Sequence, residues 1–227
     1  RLLRHRPVEG KMTEPITLVF DVLGARAEPH AAVPTLMLRL RIAETTGATV
    51  HALALRTQIR IEPQRRHYNP SEEVRLYELF GDTPRWGDTL RPFLWTHVST
   101  MVTGFTGSKE IDLAVECTYD FEVAAAKYLH GLDGGEIPLL LLFGGSVFTR
   151  GRSGFAPEPV AWNCDTSFPL PVATWRGVMD MYYPNSGWLR LGRDTLDALQ
   201  HFKATQGLPT WDQAFDRLLA AASEEQS

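Results

Sequence analysis

The sequence has few residues of the kinds that form disulfide frameworks or bind metals. Its 227 residues include only Cys117 and Cys164, with no CxxC spacing. We therefore expect both thiols to be buried and reduced. The seven histidines never fall into HxH, HxxxH or HExxH spacing. The local sequence thus predicts no metal site, and it indicates no cofactor.

Long hydrophobic runs and a strong net charge are also missing. The longest apolar run, Ile137 to Phe143, is far shorter than the roughly 20 residues that cross a bilayer. The formal net charge is only -4, and 22% of the residues are charged, as in ordinary soluble domains. We expect a cytoplasmic protein that neither inserts into a membrane nor binds nucleic acid. The basic cluster from Arg60 to Tyr68 is therefore interpreted as a solvated or salt-bridged surface.

The first residues differ from the rest of the chain. Residues 1–11 are basic and precede Met12, which we interpret as the natural first residue. We therefore interpret residues 1–11 as a non-native or disordered leader. No internal repeat or low-complexity linker interrupts residues 12–227. We predict a single domain there, β-rich over 13–170 and helical over 171–222.

Two consecutive segments alternate apolar and polar residues, which predicts half-buried strands over 33–43 and 50–62. We interpret them as an antiparallel hairpin that turns at Thr46-Gly47 or Gly47-Ala48. The inward side chains would be Leu36, Leu38, Leu40, Ile42, Leu53, Leu55, Thr57, Ile59 and Ile61.

The outward face of this hairpin would be rich in arginine. It would carry Arg39, Arg41, Arg56, Gln58, Arg60 and Glu62. Either turn keeps the arginines on one face. Like charges placed directly opposite one another are unfavourable unless anions or acidic side chains lie between them. We therefore predict a partner-binding surface formed by Arg39, Arg41, Arg56 and Arg60.

The remaining elements indicate a sandwich followed by helices. Asn69-Pro70-Ser71-Glu72-Glu73 is typical of a helix start, and that helix should end at Gly81. Residues 121–132 could be a helix or an extended segment. The apolar run over 137–148 predicts a central strand covered on both faces. We predict an α+β fold with a mainly antiparallel β-sandwich-like body and a helical C-terminal segment packed against it.

Aromatic residues are numerous after the last predicted strand. Tyr182, Tyr183 and Trp188 flank a Pro-Asn-Ser-Gly turn. Tyr and Trp are enriched at interface hot spots, although most aromatic residues serve in the core. We predict that this loop is a second partner-binding surface.

Four segments resemble an uncharacterised bacterial family, a domain of unknown function from high-GC Gram-positive bacteria. The segments are Val50 to Tyr68, Arg85 to Val102, Cys117 to Tyr128 and Tyr183 to Leu189. The resemblance implies no activity and therefore no catalytic residues. Members of that family are often encoded beside nickel-iron hydrogenase subunits and maturation factors, which implies an accessory role.

Two function classes follow from the sequence. The first is a non-enzymatic interaction or accessory factor for a metalloenzyme complex such as a hydrogenase. The second is a small-molecule-binding protein or an unrecognised enzyme with a pocket between sandwich and helices. Its candidate residues are Cys117, His97 and Asp120, which would have to converge in a concave pocket.

Overall fold

The computed structural model describes residues 16–117, 123–151, 154–186 and 189–224. The strands are β1 (Leu18–Ala27), β2 (Thr35–Glu44), β3 (Thr49–Ile61), β4 (Phe93–Thr106), β5 (Ser108–Glu116), β6 (Glu136–Gly151), β7 (Gly154–Pro159) and β8 (Asp165–Pro171). The helices are α1 (Pro70–Phe80), α2 (Trp86–Thr89), α3 (Ala124–Gly131), α4 (Val172–Tyr182), α5 (Arg193–Thr205) and α6 (Trp211–Glu224). This confirms the α+β class with a mostly antiparallel β body.

The strands form two antiparallel sheets. The three-stranded sheet has the order β1-β2-β5. The five-stranded sheet has the order β4-β3-β6-β7, with β8 also beside β6. β7 and β8 share one edge of β6, because β8 pairs with residues 136–142 and β7 with residues 146–151.

The two sheets pack against each other because each has one apolar side. The inward side chains predicted for β2 and β3 are all at most 1% exposed. Phe20 of β1 stacks on Phe143 of β6, with 4.1 Å between ring centroids. Both rings belong to one continuous cluster of buried residues, so this stack joins the sheets through a shared core.

The predicted hairpin between β2 and β3 is wrong. β2 pairs with β1 and β5, whereas β3 pairs with β4 and β6. The connection between them therefore passes from one sheet to the other. The buried Glu44 side chain holds this connection by accepting a 2.8 Å hydrogen bond from the Thr46 amide. Alternation identifies the buried face of a strand but not the strand it pairs with.

The predicted α1 helix is confirmed at both ends. Asn69 and Glu72 form a capping box, and Pro70 takes the first helical position. The helix ends at Phe80, and Gly81 follows with φ +71°. Residues 121–132 could have been a helix or an extended segment. Within them, Ala124–Gly131 is helical, and residues 121 and 122 lie outside the described residues.

The later half of the chain differs from expectation in two features. The first is β8, a strand that was not predicted because Pro169 and Pro171 argue against a strand. β6 is central, as expected, but only one of its faces is fully buried. Its inward Leu139 and Leu141 are at most 1% exposed, whereas the outward side chains are half-buried, among them Leu140 and Leu142.

The helices belong to two compact units, Arg1–Gly187 and Trp188–Ser227. In the first unit, α1 packs against α3, and α4 packs against β1 and adds Trp175, Val178 and Met179 to the core. In the second unit, α5 packs against α6, and the Lys203 ammonium lies 5.7 Å from the centre of the Trp211 ring. The single domain expected over 12–227 stays a prediction.

The glycine pair of β6 offers a sharp test of the strand packing. A Cβ on Gly145 would lie 1.9 Å from the Ala54 carbonyl oxygen, and its φ is +127°. A Cβ on Gly144 would meet nothing within 4 Å. We expect Gly145→Ala to lower the free energy of unfolding by about 3 kcal/mol or more, through strain and overpacking. Gly144→Ala, the matched control, should stay within about 0.5 kcal/mol of the original. Equal urea midpoints for the two variants would contradict the β3–β6 register.

Candidate functional site

The predicted arginines lie on two different outer faces. We call the outer side of the three-stranded sheet, with Arg39 and Arg41, the β2 face. The outer side of the five-stranded sheet, with Arg56 and Arg60, is the β3 face. The shared core lies between the two sheets, so these faces point away from each other. The expectation that all four arginines share one face is wrong, because β2 and β3 belong to different sheets.

The arginines of the β2 face are neutralised by the neighbouring strand. Glu110 of β5 pairs with Arg39 at 2.8 Å and with Arg41 at 3.0 Å. Arg26 pairs with Asp112 at 2.9 Å. The hydrogen bonds from Arg41 and Arg39 hold the pKa of Glu110 below its ordinary value. The charges of this face are therefore satisfied within the sheet.

The arginines of the β3 face have different surroundings. Neither Arg56 nor Arg60 forms an ion pair with another residue of the described chain. The Arg60 guanidinium lies 3.4 Å from the Pro92 carbonyl oxygen. The outward side chains in register around them on β3, β4 and β6 carry no carboxylate: Ala54, Gln58, Leu94, His97, Ser99, Met101, Leu140, Leu142, Gly144 and Ser146. Met101 is 66% exposed and Leu94 44%.

Glu62, two residues beyond Arg60, is buried and pairs with Arg65, and further charges lie at other positions of the sheet. Asp165 lies on β8 and is in register with Leu142 of β6, so β6 separates it from β3. Arg150 is in register with Phe155, near the end of β6. The centre of the face therefore combines two arginines with small and apolar residues and with the polar side chains of Gln58 and His97.

The Tyr182 side chain has a structural role. Its hydroxyl lies 2.6 Å from the Glu28 carbonyl oxygen and 2.9 Å from the Ala31 carbonyl oxygen. The Tyr182 side chain therefore stabilises the connection between β1 and β2. Tyr183 is half-buried, and its amide donates to the Met179 carbonyl at 2.7 Å. Trp188 lies outside the described residues. Partner binding by this loop stays a prediction.

The candidate catalytic residues do not form a site in the described part of the chain. Cys117 is 5% exposed, and burial raises the pKa of its thiol to about 12. His97 is exposed on the β3 face, opposite Gln58. The two side chains thus belong to different sheets, one in the core and one on an outer face. Asp120 lies outside the described residues.

Across residues 16–117, 123–151, 154–186 and 189–224, no three His, Cys, Asp or Glu side chains are grouped so that they could hold a metal ion. No helix among these residues is long and apolar enough to span a membrane.

A buried ion pair that the sequence did not reveal organises one part of the basic cluster. Arg66 and Glu72 pair at 2.7 Å, with side chains 11% and 2% exposed. Glu72 also accepts hydrogen bonds from the amides of Asp133 at 2.8 Å and Asn69 at 3.1 Å. Arg66 donates to the Gly134 carbonyl at 3.2 Å. The spacing Asn69-x-x-Glu72 is typical of a capping box, so the sequence indicated a role for Glu72. Nothing in the sequence indicated that Arg66 pairs with Glu72.

Two more arginines bind the same turn, which follows α3. Arg75 donates to the Gly131 carbonyl at 3.0 Å and pairs with Asp133 at 2.5 Å. Arg176 of α4 donates to the Asp133 carbonyl at 2.8 Å. Hydrogen bonds from Asn69 and Arg75 lower the pKa of Asp133. The three arginines therefore stabilise a connection between α1, α3, α4 and β6.

A cleft of about 370 Å³ lies beside this network and adjoins the β3 face. Its lining includes Arg65, His67, Glu136, Ser167 and Phe168. Arg65 pairs with Glu62 at 2.7 Å and donates to the Ser167 hydroxyl at 3.2 Å. Through the strand register, Ser167 is opposite Leu140 and Leu140 is opposite Arg60. The cleft thus continues the β3 face.

Removal of the Glu72 carboxylate should destabilise the fold. Glu72→Ala leaves Arg66 with an uncompensated buried charge, so we expect the free energy of unfolding to fall by about 3 kcal/mol or more. Glu73→Ala, one position further along the same helix, should cost less than about 1 kcal/mol. Urea denaturation of both variants gives the comparison. Equal losses would show that the ion pair does not stabilise the native state.

Alkylation of the thiols tests the assignment of Cys117 to the core. Its raised pKa and its burial keep the thiolate fraction low, so iodoacetamide at pH 8 should leave Cys117 unmodified in the folded protein. Concentrated urea should make it reactive. The stability linked to this thiol is present below its ordinary pKa of 9.0 and is lost as the pH rises towards about 12. Rapid modification of native Cys117, located by peptide mass spectrometry, would contradict its place in the core.

Comparisons with known proteins add a family and two distant structural likenesses. A β-glucosidase from Kluyveromyces marxianus is 7% identical, with a TM-score of 0.26 over 68% of this chain and 15% of that one. β-Glucosidase 3B from Thermotoga neapolitana, in complex with alpha-D-glucose, is 14% identical, with a TM-score of 0.24 over 68% of this chain and 17% of that one. This chain spans less than a fifth of either enzyme, and likenesses at these scores support no functional inference.

No curated protein matches the chain. Residues 15–227 match the DUF6084 family, which is described as a family of unknown function. The match covers nearly the whole sequence, and the chain therefore belongs to the DUF6084 family.

Proposed function

We propose that this chain is a non-enzymatic interaction protein that binds a protein partner through its β3 face. The observation that carries the proposal is the contrast between the two outer faces. On the β2 face, Glu110 neutralises Arg39 and Arg41. On the β3 face, Arg56 and Arg60 form no ion pair with the described residues, and the residues in register with them are small or apolar.

The composition of the β3 face supports this proposal. Arginine is enriched at interface hot spots, and exposed apolar side chains around it exclude water when a partner binds. Met101 and Leu94 supply such apolar surface. The pairs that hold Arg39 and Arg41 would have to break before a partner could use those charges fully. Arg39 and Arg41 therefore lie outside the interface proposed on the β3 face, and partner binding by Tyr182, Tyr183 and Trp188 stays a separate prediction.

The proposed partner is a metalloenzyme complex, with nickel-iron hydrogenase subunits or their maturation factors as the first candidates. The basis for this choice is the gene neighbourhood implied by the family resemblance. The β3 face itself indicates a partner with complementary acidic and apolar groups.

The cleft supports a second candidate function, the binding of a small molecule. Its position between the 65–67 segment and strands β6 and β8 differs from the predicted pocket between sandwich and helices. Arg65, His67 and Ser167 supply polar groups beside apolar Phe168 and Pro169, a combination that ligand sites use.

Co-purification of charge-reversed variants tests the interaction. The tagged full-length chain is expressed at native level, with Arg56→Glu/Arg60→Glu compared against Arg39→Glu/Arg41→Glu. We expect the first pair to lose the co-purifying partner, because it introduces like-charge repulsion in the interface. The second pair should keep most of it.

Thermal unfolding of each variant is the control for folding. Both double variants should melt within a few degrees of the original, since exposed strand positions contribute little to stability. Loss of the partner only in the Arg39→Glu/Arg41→Glu variant would contradict binding through the β3 face.

A further inference from the structure

Arg56 and Arg60 lie on the same central strand, four residues apart. We propose that the β3 face binds an extended acidic-aliphatic segment of a protein partner, with one carboxylate on each arginine and an apolar side chain between them. This inference rests on the proposed function and specifies the chemistry of the partner. The β2 face differs in this respect, because its arginines already hold Glu110 and Asp112.

The spacing of the two arginines selects the pattern of the segment. Residues four apart on a strand are about 13 Å apart, at roughly 3.3 Å per residue. An extended segment that runs along β3 has the same repeat, so its carboxylates would also be four residues apart. The residue midway between them points to the same side and would meet Gln58, which is in register with Leu142 on one side and with His97 on the other.

Gly144 leaves room for this segment beside Arg56. The two residues are in register, and a Cβ on Gly144 would meet nothing within 4 Å. Its φ is not in the left-handed region, so other residues are tolerated there. A side chain at this position would project onto the β3 face beside Arg56. It can therefore alter binding without disturbing the core.

Guanidinium groups favour carboxylate partners for geometric reasons. Arginine presents a planar set of N–H donors that matches a carboxylate in a bidentate pair. On the β2 face, β5 supplies that carboxylate from within the fold. On the β3 face, the residues in register with Arg56 are Ser99 and Gly144. Those in register with Arg60 are Leu94 and Leu140. None of these four can neutralise a guanidinium, which leaves the role to a partner.

The experiment measures binding of defined peptides to the full chain by fluorescence anisotropy. The probe is a labelled peptide with glutamate at two positions four residues apart, leucine midway, and serine elsewhere. The matched control peptide has glutamine in place of both glutamates. We expect the glutamate peptide to bind at least about tenfold more tightly, as two charge-assisted hydrogen-bonded contacts allow. Its Kd should rise with salt, since exposed ion pairs are screened.

Variants of the chain assign the binding to the β3 face. Arg56→Gln/Arg60→Gln should reduce the preference for the glutamate peptide to about that of the glutamine peptide. Arg39→Gln/Arg41→Gln should leave it unchanged. Gly144→Glu should weaken binding of the glutamate peptide more than the uncharged, similarly sized Gly144→Gln does.

The outcomes separate this inference from the proposed function. Equal Kd values for the two peptides, or a preference that survives Arg56→Gln/Arg60→Gln, would overturn the acidic-segment inference. If the co-purifying partner is still lost in Arg56→Glu/Arg60→Glu, docking on the β3 face stands and only its chemistry is wrong. If that partner is retained as well, the proposed function fails with it.

Discussion

The structure depends on the burial of two apolar sheet surfaces against each other. β2 and β3 each present an unbroken row of buried side chains, and the chain crosses from one sheet to the other between them. The Phe20–Phe143 stack lies in the resulting core. Because the buried rows face inward, the arginines that alternate with them must face outward, on opposite sides of the molecule. The candidate interface is thus a direct consequence of the sandwich.

Two groups of arginines have different surroundings. Arg66, Arg75 and Arg176 hold carbonyl groups and carboxylates around the turn after α3. A buried pair such as Arg66–Glu72 gains little over apolar packing but is costly to break, so it specifies how the helices meet the sandwich. Arg56 and Arg60 form no ion pair among the described residues, and the proposed interface is based on this difference.

The sequence predicted features that depend on neighbouring residues. Helix α1 has its cap, first-turn proline and terminal glycine within one segment, so both ends could be predicted. The buried rows of β2 and β3 follow from a period of two. Strand pairing could not be predicted, because it depends on β5 and β6, which are distant in sequence. For the same reason, the neutralisation of Arg39 by Glu110 could not be predicted. The strand β8 was missed because its prolines argue against a strand.

The proposed partner docks on the β3 face and not on the β2 face. Site-specific photocrosslinking in the native cell tests it most directly, with a benzophenone amino acid at Ser99 on the β3 face or at Ala114 on the β2 face. Both positions are exposed. We expect a discrete adduct from Ser99 and none from Ala114. An adduct from Ala114 alone would contradict it.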